Sequence, residues 1–460
     1  MLDYIVRRLL LMVPTLFGIT LVVFVVMALS PGGITAQSLV DDIGLNPQEK
    51  QALQEYYNRR YGLDQPLPLQ YLRWLNNVSP IGFVLDEDGH FGRFSLTKGP
   101  DLGESFRYGR PVAELLRERV PITLLLNVLT VPLIYLVSIL IGVRAATDRG
   151  GRFDVTSSMI LLALWSVPTM LTGVLLIGFF ANAQYWHWFP TSGLSERAAL
   201  DMPFLPHWRD TLDVARLGLA AALGTAGGVA LARWPWRPGR VAAGVALGAA
   251  LAVAMARDLP QPPPAWLYAL LVPAFAVVLY AIAASASTGL RVACLGVLGL
   301  GVGAALGASW AGPGFVRGFL LDRLWHLVLP VVCLSYGGFA FLARLTRSAV
   351  LENLQADYAR TARAKGVPER LVLWRHVFRN SLLPLITVAA SLLPGLLAGS
   401  VIVESIFSID GMGKLAVEAV KGRDRELVLS ITLISGLLTL LGYLVADLLY
   451  AMADPRVSYD

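Results

Sequence analysis

The stretch Tyr358-Ala359-Arg360-Thr361-Ala362-Arg363-Ala364-Lys365-Gly366 is basic, rich in small residues and set between two strongly apolar segments. Its charge continues through Arg370, Arg375, His376 and Arg379 to Leu382-Leu383-Pro384. Together with Arg347 this puts seven Arg or Lys in one short loop. Two readings compete. The loop presents a small-residue helix to a partner, or it is an inside loop that merely retains positive charge. The residues alone leave both open.

Working outward, the flanking segments decide the fold class. The chain has 460 residues, 55% of them hydrophobic and 15% charged, with a mean hydropathy of +0.60. Soluble domains carry about 25% charge. A bilayer core about 30 Å thick asks for roughly 20 apolar residues per helix. Ten runs qualify, at 9–29, 121–143, 156–181, 214–232, 241–256, 265–284, 292–310, 327–343, 383–403 and 427–450, the fifth being the shortest. The expectation is an all-α polytopic membrane protein. The first run follows Arg7-Arg8 but is longer than a signal core, and Ser30-Pro31-Gly32 is a poor cleavage site, so it reads as a retained span. Cys294 and Cys333 lie within apolar runs and read as small packing residues.

The net charge of +6 calls for no nucleic acid. With the N-terminus inside, Arg144, Arg149, Arg152, Arg233, Arg237, Arg240 and Arg291 all fall in inside loops, as does the basic loop from Arg344 to Arg379. That is the positive-inside bias. An even number of spans returns the C-terminus, with Arg456, to the same side.

Residues 31–119 form one long polar segment broken by Pro66, Pro68, Pro80 and Pro100, long enough for a small α+β cap. Tyr71, Trp74 and Leu75, and likewise Val112, Leu115 and Leu116, recur at helical spacing and read as packing faces. Residues 214–310 are Ala- and Gly-rich. Gly224/Gly228, Gly244/Gly248 and Gly299/Gly303/Gly307 repeat every four positions, which lets helices approach closely in lipid. This predicts four helices packed as two hairpins, without a buried polar group to act on a solute.

Within the basic loop, Leu351, Leu354, Tyr358 and Ala362 fall on one face of a first helix. Gly366 can close it in the left-handed conformation, and Pro368 opens the next. The second helix would turn Leu371, Trp374, Val377 and Phe378 to one side and leave Arg370, Arg375 and Arg379 free.

The loop resembles the EAA-type cytoplasmic loop of ABC importer permeases, in the form used by the dipeptide/oligopeptide and nickel branch. The likeness extends through Tyr4-Ile5-Val6-Arg7-Arg8, Pro14-Thr15, Tyr61-Gly62-Leu63-Asp64-Gln65-Pro66 and Asp101-Leu102-Gly103-Glu104-Ser105. It continues in Arg110-Pro111-Val112, His326-Leu327-Val328-Leu329-Pro330, Ala343-Arg344-Leu345-Thr346-Arg347-Ser348, Val403-Glu404-Ser405-Ile406-Phe407 and Asp454-Pro455-Arg456. It covers about 1–200 and 313–460. It departs where Arg360-Thr361-Ala362 stands for the nominal Glu-Ala-Ala triplet, where Pro384 lies farther from Gly366 than in the general pattern, and at the 214–310 insert.

The resemblance implies a six-helix permease core with about four additional inserted transmembrane helices and a small extracytoplasmic segment. The divisions would be a membrane helix at 1–30, a cap at 31–119, core helices at 120–200, an inserted module at 201–313, and core helices at 314–460 with a coupling loop at 344–382. Asp357, Tyr358, Arg360, Thr361, Ala362, Ala364, Lys365 and Gly366 would contact the ATPase subunit. Partners would be a similar second permease, two cytoplasmic ATPase subunits carrying ATP and Mg, an extracytoplasmic binding protein and membrane lipid. The setting would be a bacterial inner membrane, with both termini cytoplasmic and alternating access as the mechanism.

The residues offer no chemistry of their own. Asp410-Gly411-Met412-Gly413-Lys414 looks like a phosphate loop, but Ser408 replaces the first Gly and Leu415 the Ser or Thr. His90, His187, His207, His326 and His376 lack metal-ligand spacing. Catalysis, cofactor and metal binding by this chain are not expected. The apolar core runs carry no ionisable residue except Asp447, which argues against an ion-coupled carrier. Asn127, Ser166, Thr169, Thr172, Ser391 and Ser400 read as helix-packing groups. The alternatives are a permease for nickel or another small solute, a secondary carrier, and a membrane scaffold built around 214–310.

Overall fold

The computed structural model describes residues 2–30, 46–85, 91–208, 210–257, 265–285, 288–310 and 314–453. The side chains at 390–399, Ser391 among them, and the Asp454-Pro455-Arg456 motif lie outside the described residues. Each of the ten apolar runs is helical, one of them with a break. A segment without water must satisfy its own backbone N–H and C=O groups, and the helix does so. Among the described residues eight helices are long and apolar enough to cross a membrane, nine if one bent pair is a single span. The protein is an all-α polytopic membrane protein.

The chain divides into two compact units, 1–173 with 330–460, and 174–329. The first contains α1 (Leu2–Leu29), α2 (Pro47–Tyr61), α3 (Leu67–Val78), a hairpin of β1 (Gly82–Leu85) and β2 (Phe91–Ser95), α4 (Val112–Thr147) and α5 (Arg152–Ser166). Helix α6 (Thr169–Leu176) follows after a 94° bend. Pro168 explains the bend, because it lacks an N–H and pushes Val167 into an extended conformation. Beside the bend Tyr336 Oη donates to Val167 O at 2.5 Å, and Cys333 Sγ lies 3.6 Å from Thr169 O.

The unit is completed by α11 (Gly318–Gln355), whose residues from 330 belong here, then α12 (Asp357–Ala364), α13 (Phe378–Ile406), α14 (Met412–Lys421) and α15 (Arg425–Ala453). Helix α4 lies close against α11. A Cβ on Gly142 would stand 2.5 Å from Thr346 Cβ, and one on Gly338 would stand 2.6 Å from Ile134 Cδ1. Val112, Leu115 and Leu116 bury against Leu415, Ala419 and Leu427. Tyr71 and Trp74 bury beside Phe24. Both packing faces expected from spacing are present.

The second unit contains α7 (Thr211–Arg233), α8 (Arg237–Arg257), α9 (Ala265–Ala284) and α10 (Thr288–Trp310). Their pairing corrects the two-hairpin expectation. Helices α8 and α9 form a hairpin, but α7 pairs with α10 and encloses it. The four-residue glycine rows decide this. A Cβ on Gly224 would lie 2.2 Å from Gly299 O, and one on Gly228 would lie 2.0 Å from Leu295 O, so only glycine permits the α7–α10 approach.

The module also repeats internally. Arg240 Nε donates to Ala283 O at 2.9 Å and its Nη1 to Trp234 O. Arg291 Nε donates to Ala232 O at 3.0 Å and its Nη1 to Ser285 O. Every atom of the second set lies 51 positions from its counterpart (240 to 291, 232 to 283, 234 to 285). Each arginine caps the carbonyl end of the other copy's helix, satisfying groups that a helix C-terminus leaves open. The module does hold buried polar side chains, though among the described residues none is seen to face a solute. Arg240 and Arg291 are buried and act on the backbone of the module itself.

Candidate functional site

In the basic loop, helix α11 runs to Gln355, Ala356 is extended, and α12 starts afresh at Asp357. The single first helix expected from spacing is thus two, with Leu351 and Leu354 on α11 and Tyr358 and Ala362 on α12. The restart changes the face that packs. Ala359 and Ala362 bury against Val143, Ala146, Val350, Val372 and Val377, while Tyr358 is 38% exposed. No Gly or Pro marks the break. Arg363 Nη1 donates to Leu354 O at 3.1 Å, and the Tyr358 and Asn353 side chains hydrogen-bond, so the open end of α11 is satisfied from α12.

Of the eight residues expected to face a partner, Asp357, Tyr358, Arg360, Thr361, Ala364, Lys365 and Gly366 are exposed. Ala362 is not, and its role is corrected to packing. Gly366 ends the helix at φ +75°. Val367 N donates to Ala362 O at 3.2 Å and Gly366 N to Arg363 O at 2.9 Å. These two bonds are the Schellman pair, which needs a left-handed residue at this point. A Cβ on Gly366 would meet nothing within 4 Å, so the turn is open on its outer side.

The following segment also differs from expectation. Val372–Val377 is a π-helical turn. With more than four residues per turn, it brings Val372 and Val377 onto one buried face and leaves Leu371 and Trp374 about half exposed. The 3.6-residue period had placed Leu371 and Trp374 inward. Arg370, Arg375 and Arg379 are exposed.

Two arginines of the loop are structural. Arg347 clamps Asp154 through Nε and Nη2, the latter at 2.7 Å, and Gly150 N donates to the same carboxylate at 2.9 Å. Arg363 Nη2 donates to Glu369 Oε1 at 2.8 Å and its Nε to Oε2 at 3.0 Å. That contact raises Arg363 and holds Glu369 below the usual carboxylate range. The result is a short, rigidly seated helix with an exposed face of mixed charge and a glycine at its tip.

A second glycine-marked turn shows the opposite case. The helices extend past the apolar runs, and the extensions carry buried ionisable groups. Asp447 lies inside an apolar run, and the buried charges described next lie beyond the ends of the runs. Glu404, fully buried, accepts from Thr123 Oγ1 at 2.8 Å and from Lys414 N at 2.9 Å, at the start of α14. A Cβ on Gly411 would come within 2.4 Å of Glu404 Cδ. The phosphate-loop-like stretch is thus a cradle for the chain's own carboxylate. Nearby, Asp424 accepts from Ser105 Oγ at 2.5 Å and from Leu427 N at 3.1 Å, and burial raises its pKa despite these donors. Arg425 pairs with Glu426 and donates to Gln70 Oε1 at 3.0 Å. Tyr108 is pushed up to about 12 by burial and by its bond to Glu418. Asp447 pairs with Arg8 at 2.9 Å.

Two family models match this chain. One, described as "Binding-protein-dependent transport system inner membrane component", covers residues 261–459. The other, the N-terminal part of such membrane components, covers residues 1–127. The chain belongs to this family of inner membrane transport components. The first match begins inside the 201–313 segment. The chain is similar over its whole length to curated members of the family. The oligopeptide transport system permease protein AppB of Bacillus subtilis is 28% identical, with all of both chains covered. The di/tripeptide transport system permease protein DppB of Pseudomonas aeruginosa is 29% identical, with the same coverage. The inner membrane ABC transporter permease protein YejB of Escherichia coli O157:H7 is 25% identical over 99% of each. This permease is therefore one part of a transporter complex.

Proposed function

We propose that this permease is the transmembrane subunit of an ATP-driven importer that moves peptides across a bacterial inner membrane by alternating access. The solute class rests on the relatives, which carry oligopeptide and di/tripeptide transport in their names. The observation that carries the mechanical part is α12. It is a short helix anchored by Ala359 and Ala362 on a core shared with α4 and α11, with seven residues exposed around an open Gly366 turn. A helix so anchored transmits a push or pull to the spans beneath it. The partners would be a similar second permease, two cytoplasmic ATPase subunits that hold ATP and Mg, and an extracytoplasmic binding protein. Both termini would be cytoplasmic, with 31–119 on the outer face and 201–313 as a module added to a six-helix core.

The test is Gly366→Asp in the assembled complex. A side chain there is strained at φ +75° but meets no neighbour, so the chain should insert and accumulate normally. ATPase co-purification and uptake of labelled di- and oligopeptides should both fall. Normal values for both would remove the coupling role, and normal coupling with uptake of nickel but not peptide would remove the solute assignment.

A further inference from the structure

Within the second unit, two cavities adjoin. One, of about 890 Å³, is walled by apolar groups, chiefly Phe180, Trp186, Met255, Trp266, Leu270 and Val302. The other, of about 430 Å³, is polar and includes Glu196, Arg317 and His326. Trp188 lines both. The aromatic wall is built in advance. Phe180 stacks on Trp186 at 5.4 Å and Phe189 on Trp325 at 4.6 Å. Trp186 Nε1 donates to Met255 O at 2.7 Å, and Trp325 Nε1 to Trp188 O at 2.9 Å. Indoles fixed where an apolar surface gives way to a polar one mark the membrane–water boundary.

The polar cleft carries both signs of charge. Arg317 bridges Glu196 at 2.8 Å and the buried Asp322 at 3.4 Å, and Glu196 N donates to Asp322 Oδ2 at 3.0 Å. Asp322 thus fixes the back of the cleft while the Arg317 and Glu196 side chains remain partly exposed. A guanidinium suits a phosphate, and a carboxylate beside it suits an amine.

We propose that this pair of cavities binds one phospholipid, its acyl chains in the aromatic groove and its phosphate headgroup in the cleft of Arg317 and Glu196. The occupant follows from the chemistry of the walls. A peptide in the groove would leave its amides without hydrogen-bond partners, at a cost of several kcal/mol. Acyl chains have no such groups. The groove is flanked by α8, α9 and α10, which are long and apolar enough to cross a bilayer, so acyl chains have direct access. The bound lipid would fill the space between these helices and the Phe179–Phe189 turn, and so brace the outer end of the module.

The experiment uses the full-length permease in nanodiscs containing phosphatidylethanolamine with a photoactivatable acyl chain, read by mapping labelled peptides. Labelling should concentrate on the peptides holding Trp266–Leu271 and Gly301–Ala305, about tenfold over the exposed face of α1, as a site-bound rather than bulk lipid would give. Gly301→Trp fills the groove from a position whose Cβ meets nothing within 4 Å, and should abolish that excess. Arg317→Gln should keep groove labelling in nanodiscs but reduce phospholipid retained through detergent purification. Even labelling over all lipid-facing helices in the unaltered protein would overturn the proposal. So would unchanged labelling in Gly301→Trp, or displacement of the label by apolar peptide but not by phospholipid. The unaltered protein decides alone if the variants fail to accumulate.

Discussion

Gly366 and Gly411 each mark a turn beside a helix end, and they are used in opposite ways. At Gly366 the chain needs a left-handed residue, and the space outside is empty. At Gly411 the backbone is extended and the space is filled by Glu404. By sequence, Asp410-Gly411-Met412-Gly413-Lys414 only superficially resembles a phosphate loop, since Ser408 and Leu415 stand where Gly and Ser or Thr are required. In the structure the helix N-terminus that would hold a phosphate already holds a carboxylate of the same chain. A glycine-rich turn signals that something approaches the backbone closely. Whether that is a ligand, a partner or the protein itself is settled by what occupies the space.

The sharpest way to break this contrast is to empty the filled turn. Glu404→Ala leaves Thr123 Oγ1 and Lys414 N without their buried acceptor, at about 1–3 kcal/mol per unsatisfied group. The expected outcome is a chain that is degraded or melts well below the unaltered protein in a detergent thermal-shift assay. A variant with an unchanged melting curve would mean that the carboxylate is not what orders α14. Glu404→Gln keeps the shape and should fall between the two.

The converse change fills the open turn. Gly366→Asp should leave thermal stability nearly intact and abolish coupling, so the two turns separate cleanly, one failing in folding and the other in function. Ala362→Glu sharpens this further. It places a carboxylate in the packed core with Val350 and Val377, so it should lower the melting temperature as well as uptake, whereas Ala364→Glu on the exposed face should lower uptake alone.

A smaller effect is expected at the repeated arginines. Arg240→Ala and Arg291→Ala each free helix-end carbonyls in the second unit, and should lower the melting temperature by similar amounts. The double change should be no worse than additive if the two caps are independent copies of one device. A large difference between the single variants would show that the repeat is formal rather than functional.

The smallest effect belongs to the Arg363–Glu369 clamp, which is partly exposed. Glu369 is held below its ordinary range, so the clamp is present above the ordinary value of about 4.3. It is lost as pH falls through the lowered one. The protection factors of the amides of 357–366, taken relative to the intrinsic exchange rate at each pH, should fall slightly on acidification in the unaltered protein. In Glu369→Gln they should already be lower at neutral pH and respond less to acid.

Among the described residues the long apolar runs made the membrane-length helices legible, and Gly366 announced its own conformation. The rest was hidden for identifiable reasons. Ala356 breaks a helix without any breaker residue, because Arg363 and Tyr358 supply the missing bonds from outside the segment. The π-helical turn at 372–377 defeats a reading at 3.6 residues per turn. Glu404, Arg425 and Glu426 sit where apolar runs end, and sequence cannot separate a helix that stops there from one that continues with paired charges. One signal was present in the sequence all along. Arg240-Val241-Ala242 recurs as Arg291-Val292-Ala293, with Leu247-Gly248 answered by Leu298-Gly299, and a self-comparison of the chain would have found the repeat.

The central claim is that the exposed face of α12 is held by an ATPase subunit. Its most direct test places a photo-cross-linking residue at Thr361 or Lys365 in the assembled transporter, with Trp310 as a control position. A cross-link is expected from both loop positions to an ATPase subunit, with a yield that changes on adding ATP, and none from the control. If Thr361 and Lys365 give no ATPase adduct in a complex that still hydrolyses ATP and imports solute, the contact lies elsewhere and the account of this loop is wrong.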